Sequence, residues 1–187
     1  MSDTGCMRIQ TDFSIIPDKY AKQAPEELKI DGTPILSFPF TVTDLSKNAL
    51  YLHWIFVDPD SIPVCGFQWN HWAAANVPIA ALESSTAGSV SVPEDFSRKV
   101  EIIAPEAMQG KNSEASALLG HKNPKITTGY VGPTPPDADH DYHLIVWATA
   151  APLKRLSQGF WFNELERDIR NAQEAPERAD IFLVGKA

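Results

Sequence analysis

The chain has 187 residues, 43% of them apolar and 21% charged, and a formal charge of −8. That length and composition suit one globular domain, expected over residues 1–187. The acid excess and the lack of a basic stripe exclude duplex nucleic acid and anionic membrane surfaces as partners. No run approaches the roughly 18 uncharged apolar residues of a membrane helix, so no integral membrane association is expected. The opening "MSDTGCMRIQTDF" lacks the basic start and apolar run of a signal peptide, and Cys6 and Cys65 read as reduced thiols. Both point to the cytoplasm. An acidic protein can still hold a small anion in a locally positive pocket.

Fifteen prolines argue against a helical bundle and for strands joined by fixed loops. In chain order, Met7, Ile9, Phe13 and Ile15 suggest an early extended segment. Thr33 to Val42 alternates as a strand, with Pro39 implying an edge or bulge. Ala49 to Asp58, aromatic and β-branched, is the strongest strand, ended by Pro59. Phe67 to Pro78 is the next. Ala107 to Lys122 is an irregular connection with a short helix at "SEASALLG". Tyr142 to Ala150 is a third strong strand. Phe162, Leu165, Ile169 and Ala172 then recur at helical spacing, with Asn163 as cap, Glu166 three residues on, Phe162 as staple and Pro176 as stop. Asp180 to Gly185 closes as a strand. Several strands before one late helix predict a mainly β fold, an antiparallel sandwich with peripheral helices.

Three polar clusters sit at or near strand ends. "DPDSIPVCG" places Asp58 and Asp60 around a proline, "WNHW" sets His71 between tryptophans, and "HDYH" holds His140, Tyr142 and His143. A stiff loop, Gly132 to Pro136, delivers the last cluster onto its strand. Two-residue alternation puts His140 and Tyr142 on one face and turns His143 to the other. An Asp-Pro-Asp also reads as a plain turn with its carboxylates on nearby amides, and a histidine among tryptophans as a satisfied core residue. Asp58, Asp60, His71 and His140 are eligible metal ligands, but no His-x-x-x-His pair or cysteine cluster supports a metal. No nucleophile motif, phosphate loop or dinucleotide fingerprint is present, so no cofactor is expected.

Read in order, "DPDSIP", "FQWNHWAAANVP" and "GYVGPTPPDADHDYHLIVWAT" resemble the phosphatidylethanolamine-binding protein family, in particular its bacterial, Raf-kinase-inhibitor-like branch. The resemblance spans Asp58 to Ala150. It implies a Greek-key β-sandwich and a small cavity for phosphate, acetate or a phospholipid head group. Carried over by position, Asp58 and Asp60 are mouth carboxylates and His71 is the pocket histidine. Pro133 and Pro135 form the rim, and His140 and Tyr142 the opposite wall. A histidine N–H and the tyrosine O–H can each donate to an anionic oxygen, and Asp58 can fix a histidine tautomer or raise its pKa.

The chain departs from that pattern in three places. "DPDSIP" carries one residue more before its proline, which bears on whether Ile62–Pro63 is cis. Thr134 stands where bacterial members often have cysteine. Asp141 replaces a common arginine and sets a negative charge near the mouth. The expected function is non-enzymatic binding of a small phosphate- or carboxylate-bearing ligand, in a chain that modulates a partner protein or forms a homodimer. The alternative is an enzyme with His71 and His140 as general acid and base on a small ester or phosphoester.

Overall fold

The computed structural model describes residues 6–120 and 123–187; Met1–Gly5, and with them the start of the leader reading, lie outside. The strands are β1 (Arg8–Gln10), β2 (Lys29–Ile30), β3 (Thr33–Pro34), β4 (Phe40–Thr43), β5 (Tyr51–Asp58), β6 (Trp69–Pro78), β7 (Glu83–Thr86), β8 (Ser89–Val92), β9 (Met108–Gln109), β10 (His140–Thr149) and β11 (Glu177–Gly185). The α-helices are α1 (Ile62–Cys65), α2 (Phe96–Ile103), α3 (Pro124–Thr127) and α4 (Phe162–Arg170).

One antiparallel sheet runs β1-β4-β8-β7 and the other β11-β10-β5-β6-β9, with β2 and β3 as a separate ribbon. Between the two sheets lies the main core, which includes Phe40, Val42, Val90, Trp54, Phe56, Trp72, Leu144 and Val146. The outer face of the larger sheet is also covered. Ile55, Val57, Ala73 and Trp147 there pack against Leu153, Phe160, Leu165 and Ile169. Burial on both faces is why β5 and the middle of β6 read as near-continuous apolar runs rather than alternating ones. The expected mainly β architecture is the one observed.

Several elements differ from expectation for identifiable reasons. The Thr33–Val42 strand is two, because Pro34 and Pro39 lack the N–H a ladder needs, and Ile35–Pro39 crosses between them. Phe38 in that crossing is fully buried, its ring 5.0 Å from Phe56 and 5.8 Å from Tyr130. The late helix starts at Phe162, so its cap is Trp161 rather than Asn163. The Trp161 N–H donates to the Glu164 carboxylate at 2.7 Å, the role assigned to Glu166. Of the "SEASALLG" helix only a 3-10 turn at Ser113–Ala115 forms, and His121–Lys122 fall outside the described residues. The sequence reading did not foresee α2, whose buried Phe96 and Val100 are masked by Arg98 and Lys99.

The β5–β6 pair slips register between Leu52↔Val77 and Trp54↔Ala74, so β6 carries one extra residue. Asn76 takes up the bulge at φ 56°, and its N–H, lost to the ladder, donates to Nδ1 of His53 at 3.0 Å. His53 therefore carries its proton on Nε2 and donates to the Thr149 hydroxyl at 2.8 Å, which donates on to the Ala151 carbonyl. Burial drives the His53 pKa down to about 3, and a second proton would also break the Asn76 bond. The resulting stability is complete above the unfolded value near 6.5 and is lost as pH falls toward the folded value. Between pH 7 and pH 4 the loss from His53 is about 3 kcal/mol. His53→Gln keeps an acceptor and a donor but cannot titrate. Urea unfolding at both pH values should show a smaller acid loss in this variant than in wild type; equal losses would disprove a buried neutral His53.

Candidate functional site

The end of β5, the start of β6 and the start of β10 lie at one edge of the larger sheet, because Asp58 pairs with Trp69 and Val57 with His143. A cavity of about 180 Å³ opens there, lined by Asp58, Ser61, Val64, Cys65, Trp69, His71, Thr134, Pro135, Pro136, His140 and Tyr142. Wider clefts exist, one of about 900 Å³ near Cys6 and Glu177, but this small cavity is where histidine, carboxylate and tyrosine converge.

A second bulge aims His71. Phe56 pairs with Trp72 and Val57 with Asn70, leaving His71 as the extra residue of β6. Strict alternation would turn His71 away from the face of its neighbour Trp72. Instead Trp72 enters the core and His71 lines the cavity. Its Nδ1 bonds the Val131 carbonyl at 2.9 Å. A carbonyl only accepts, so Nδ1 carries the proton and Nε2 is left as a lone pair. Burial pushes the His71 pKa down to about 4, against the partly opposing Val131 bond and Asp58 charge. At neutral pH its remaining nitrogen, Nε2, is an acceptor, which leaves His140 as the cavity histidine able to donate.

His140 is its opposite. Nδ1 bonds Asp58 Oδ2 at 2.8 Å and Nε2 bonds Asp137 Oδ1 at 3.0 Å. Burial works against its charge, but the Asp58 and then the Asp137 carboxylate outweigh it and hold the pKa above its ordinary value. Asp58 raises a histidine pKa as expected, and the histidine is His140. The same carboxylate accepts the Ser61 N–H on Oδ1 at 3.0 Å, so the turn reading of Asp-Pro-Asp holds beside the site reading. Tyr142 is fully buried, stacked at 5.5 Å on Phe56 and edge-on at 5.2 Å to His71. Burial and the nearby Asp58 and Asp60 charges push its phenol far above the usual value, so it stays protonated. Gly185 leaves room for this ring, since a Cβ there would stand 2.4 Å from Tyr142 Cε2.

Five expected residues thus meet: Asp58, His71, Pro135, His140 and Tyr142. Asp60 and Pro133 stand outside the lining. Asp60 accepts the Asp141 N–H at 2.9 Å, and Pro133 packs toward Gly185. The Ile62–Pro63 bond is trans, with Pro63 in the first turn of α1. His143 faces away as alternation requires, bonding Asp180 at 3.0 Å and stacking on Phe182 at 4.2 Å. Ser61, Val64, Cys65, Trp69, Thr134 and Pro136 were not foreseen. Trp69 alone had a signal, its two-residue spacing from His71; the others depend on how α1 and the proline loop fold.

A family profile for phosphatidylethanolamine-binding protein matches residues 10–180. Bacillus subtilis YxkA, an uncharacterized protein, is 43% identical over 153 residues, covering 82% of this chain and 84% of YxkA. Among solved structures, Escherichia coli YbcL, described as a member of the mammalian PEBP family, superposes with a TM-score of 0.69 at 16% identity, over 98% of this chain and 99% of that one. A Chlamydia trachomatis protein, CT736, described as a homologue of that family, gives 0.64 at 22% identity, covering 97% of each chain. At such identities these two likenesses speak for the fold alone.

Removing Asp58 strips buried His140 of its Nδ1 partner and leaves it only the exposed Asp137. Asp58→Ala should therefore cost about 3–5 kcal/mol. It should also remove the leading support of the raised His140 pKa. That support stabilises the fold below the unfolded value near 6.5 and fades as pH rises through the folded value. Urea unfolding and NMR titration of the His140 ring read both effects. An unchanged His140 pKa in the variant would refute the assignment.

Proposed function

The chain belongs to the phosphatidylethanolamine-binding protein family, and from that premise we propose that its small cavity binds a phosphoryl group, free or at a phospholipid head. The observation that carries the reading is the pairing of unlike histidines in one cavity: His140 held as a cation and His71 held neutral with a free Nε2. Free phosphate or a phosphomonoester near neutral pH offers both kinds of oxygen, ionised and protonated, whereas a phosphodiester head group has no P–OH and offers its ethanolamine ammonium as the donor instead. An ionised oxygen suits the His140 cation and the Tyr142 hydroxyl. A P–OH suits the His71 lone pair. A plain carboxylate has no proton for His71 at this pH, so it satisfies only half of the arrangement.

A second reading rests on the same contrast. Titratable groups pushed apart in pKa within one site are the arrangement of a general acid and base. His140 as acid and His71 as base would serve water attack on a small phosphoester or ester, with no covalent intermediate.

Calorimetric titration with inorganic phosphate and with glycerophosphoethanolamine tests the first reading. Anion binding needs the His140 proton, so affinity should fall as pH rises through the raised His140 value. His71 should add an inflection near pH 4 rather than near 6.5. His140→Gln should weaken binding about tenfold or more, the scale of a lost charged hydrogen bond. Absence of saturable binding to either probe overturns the reading. Turnover of a phosphoester panel that vanishes in His71→Ala would replace it with the second.

A further inference from the structure

The cavity's cation has no free donor, since both nitrogens of His140 already meet carboxylates. The two carboxylates are unlike. Asp58 is buried, with its side chain 5% exposed, and is fixed by the Ser61 N–H. Asp137 is 60% exposed and stands three residues before His140, on the loop whose Thr134, Pro135 and Pro136 line the cavity. The loop itself is pinned independently of this contact, by Lys22 Nζ donating to the Pro135 carbonyl at 2.9 Å and by the Lys186–Asp139 ion pair. The Asp137 side chain can therefore leave His140 without the loop unfolding.

Resting on the phosphoryl-binding reading, we infer that Asp137 sets the affinity of the cavity for anions: it is a tethered carboxylate that occupies the anion position on His140 Nε2, which every incoming anion must displace. It acts as a competitor present on every molecule. The affinity of any anion that uses this N–H is scaled down by the same factor, because only the fraction with Asp137 swung away can bind. Acetate replaces one carboxylate by another and gains nothing from the exchange at His140. A phosphoryl group brings further oxygens for Tyr142 and His71 and still binds. The residue thus lowers both affinities alike, and the further contacts to Tyr142 and His71, not Asp137 itself, separate a phosphoryl group from a simple carboxylate.

The test is NMR titration of the histidine ring resonances with inorganic phosphate and, separately, with sodium acetate. Wild type is compared with Asp137→Ala and with Asp141→Ala, which removes an exposed charge that is not a partner of the His140 ring nitrogens. Asp137→Ala should tighten both anions by a common factor of about five, the scale of an exposed ion pair. Asp141→Ala should change them less than about twofold by the field effect alone. Added formate should restore the hydrogen-bonded His140 Nε2 proton signal in Asp137→Ala, which a merely structural role would not produce. If wild type binds phosphate and Asp137→Ala binds it no tighter, the inference falls and the phosphoryl reading stands. Equal gains in both variants also overturn it, as bulk charge would then explain the effect. If no protein binds phosphate, the reading and the inference fall together.

Discussion

The bond between Asp58 and His140 is the constraint on which the site depends. It joins the last residue of β5 to the first of β10, and both side chains are almost wholly out of water. A buried carboxylate facing nothing would be protonated or would unfold its surroundings, and a buried imidazole would lose its proton. The hydrogen bond compensates both buried groups at once, and with Asp137 it favours the charged form of His140. The pair then governs its neighbours. Asp58 presses the Tyr142 phenol upward, and the His140 charge adds to the burial that holds His71 neutral.

The two bulges of β6 show one device put to two uses. Each inserts a residue opposite β5, and each involves a histidine neutralised by burial. At the first, His53 consumes both ring nitrogens in closing the gap, with Asn76 on one side and Thr149 on the other. At the second, His71 spends only Nδ1, on Val131, and keeps Nε2 toward open space. The difference between a histidine closed into the fold and one open to the cavity is one unspent lone pair.

That distinction marks the limit of what the sequence made legible. The strands were readable because β5, β6 and β10 are long and apolar, and the common faces of His140 and Tyr142 followed from alternation in a regular strand. His143 was rightly set aside by the same argument. Alternation says nothing of a bulge, so the orientation of His71 had to come from family resemblance, and its protonation pattern from the Val131 carbonyl sixty residues away. Asp60 was placed at the mouth and Pro133 at the rim by family resemblance, but Asp60 serves the β10 backbone and Pro133 packs toward Gly185. Asp137 gave no signal beyond a turn residue after prolines. Its role follows from a side-chain contact that composition and periodicity do not encode.

The cavity takes its walls from the ends of β5, β6 and β10, from the α1 turn and from the proline loop. In the sheet, β5 separates β6 from β10. None of these segments can form the concave wall with a sequence neighbour alone. Nearly every contact across it closes a long loop, and such contacts are entropically late in assembly. A chain arrested with only the β5–β6 hairpin paired would own His71 and Asp58 but no His140 to neutralise the carboxylate. On the proposed phosphoryl-binding reading, ligand occupancy would therefore report completed folding. A phosphoryl compound in the growth medium or lysate would bind only finished molecules, drawing the population toward the native state by mass action and shielding it from quality-control proteolysis.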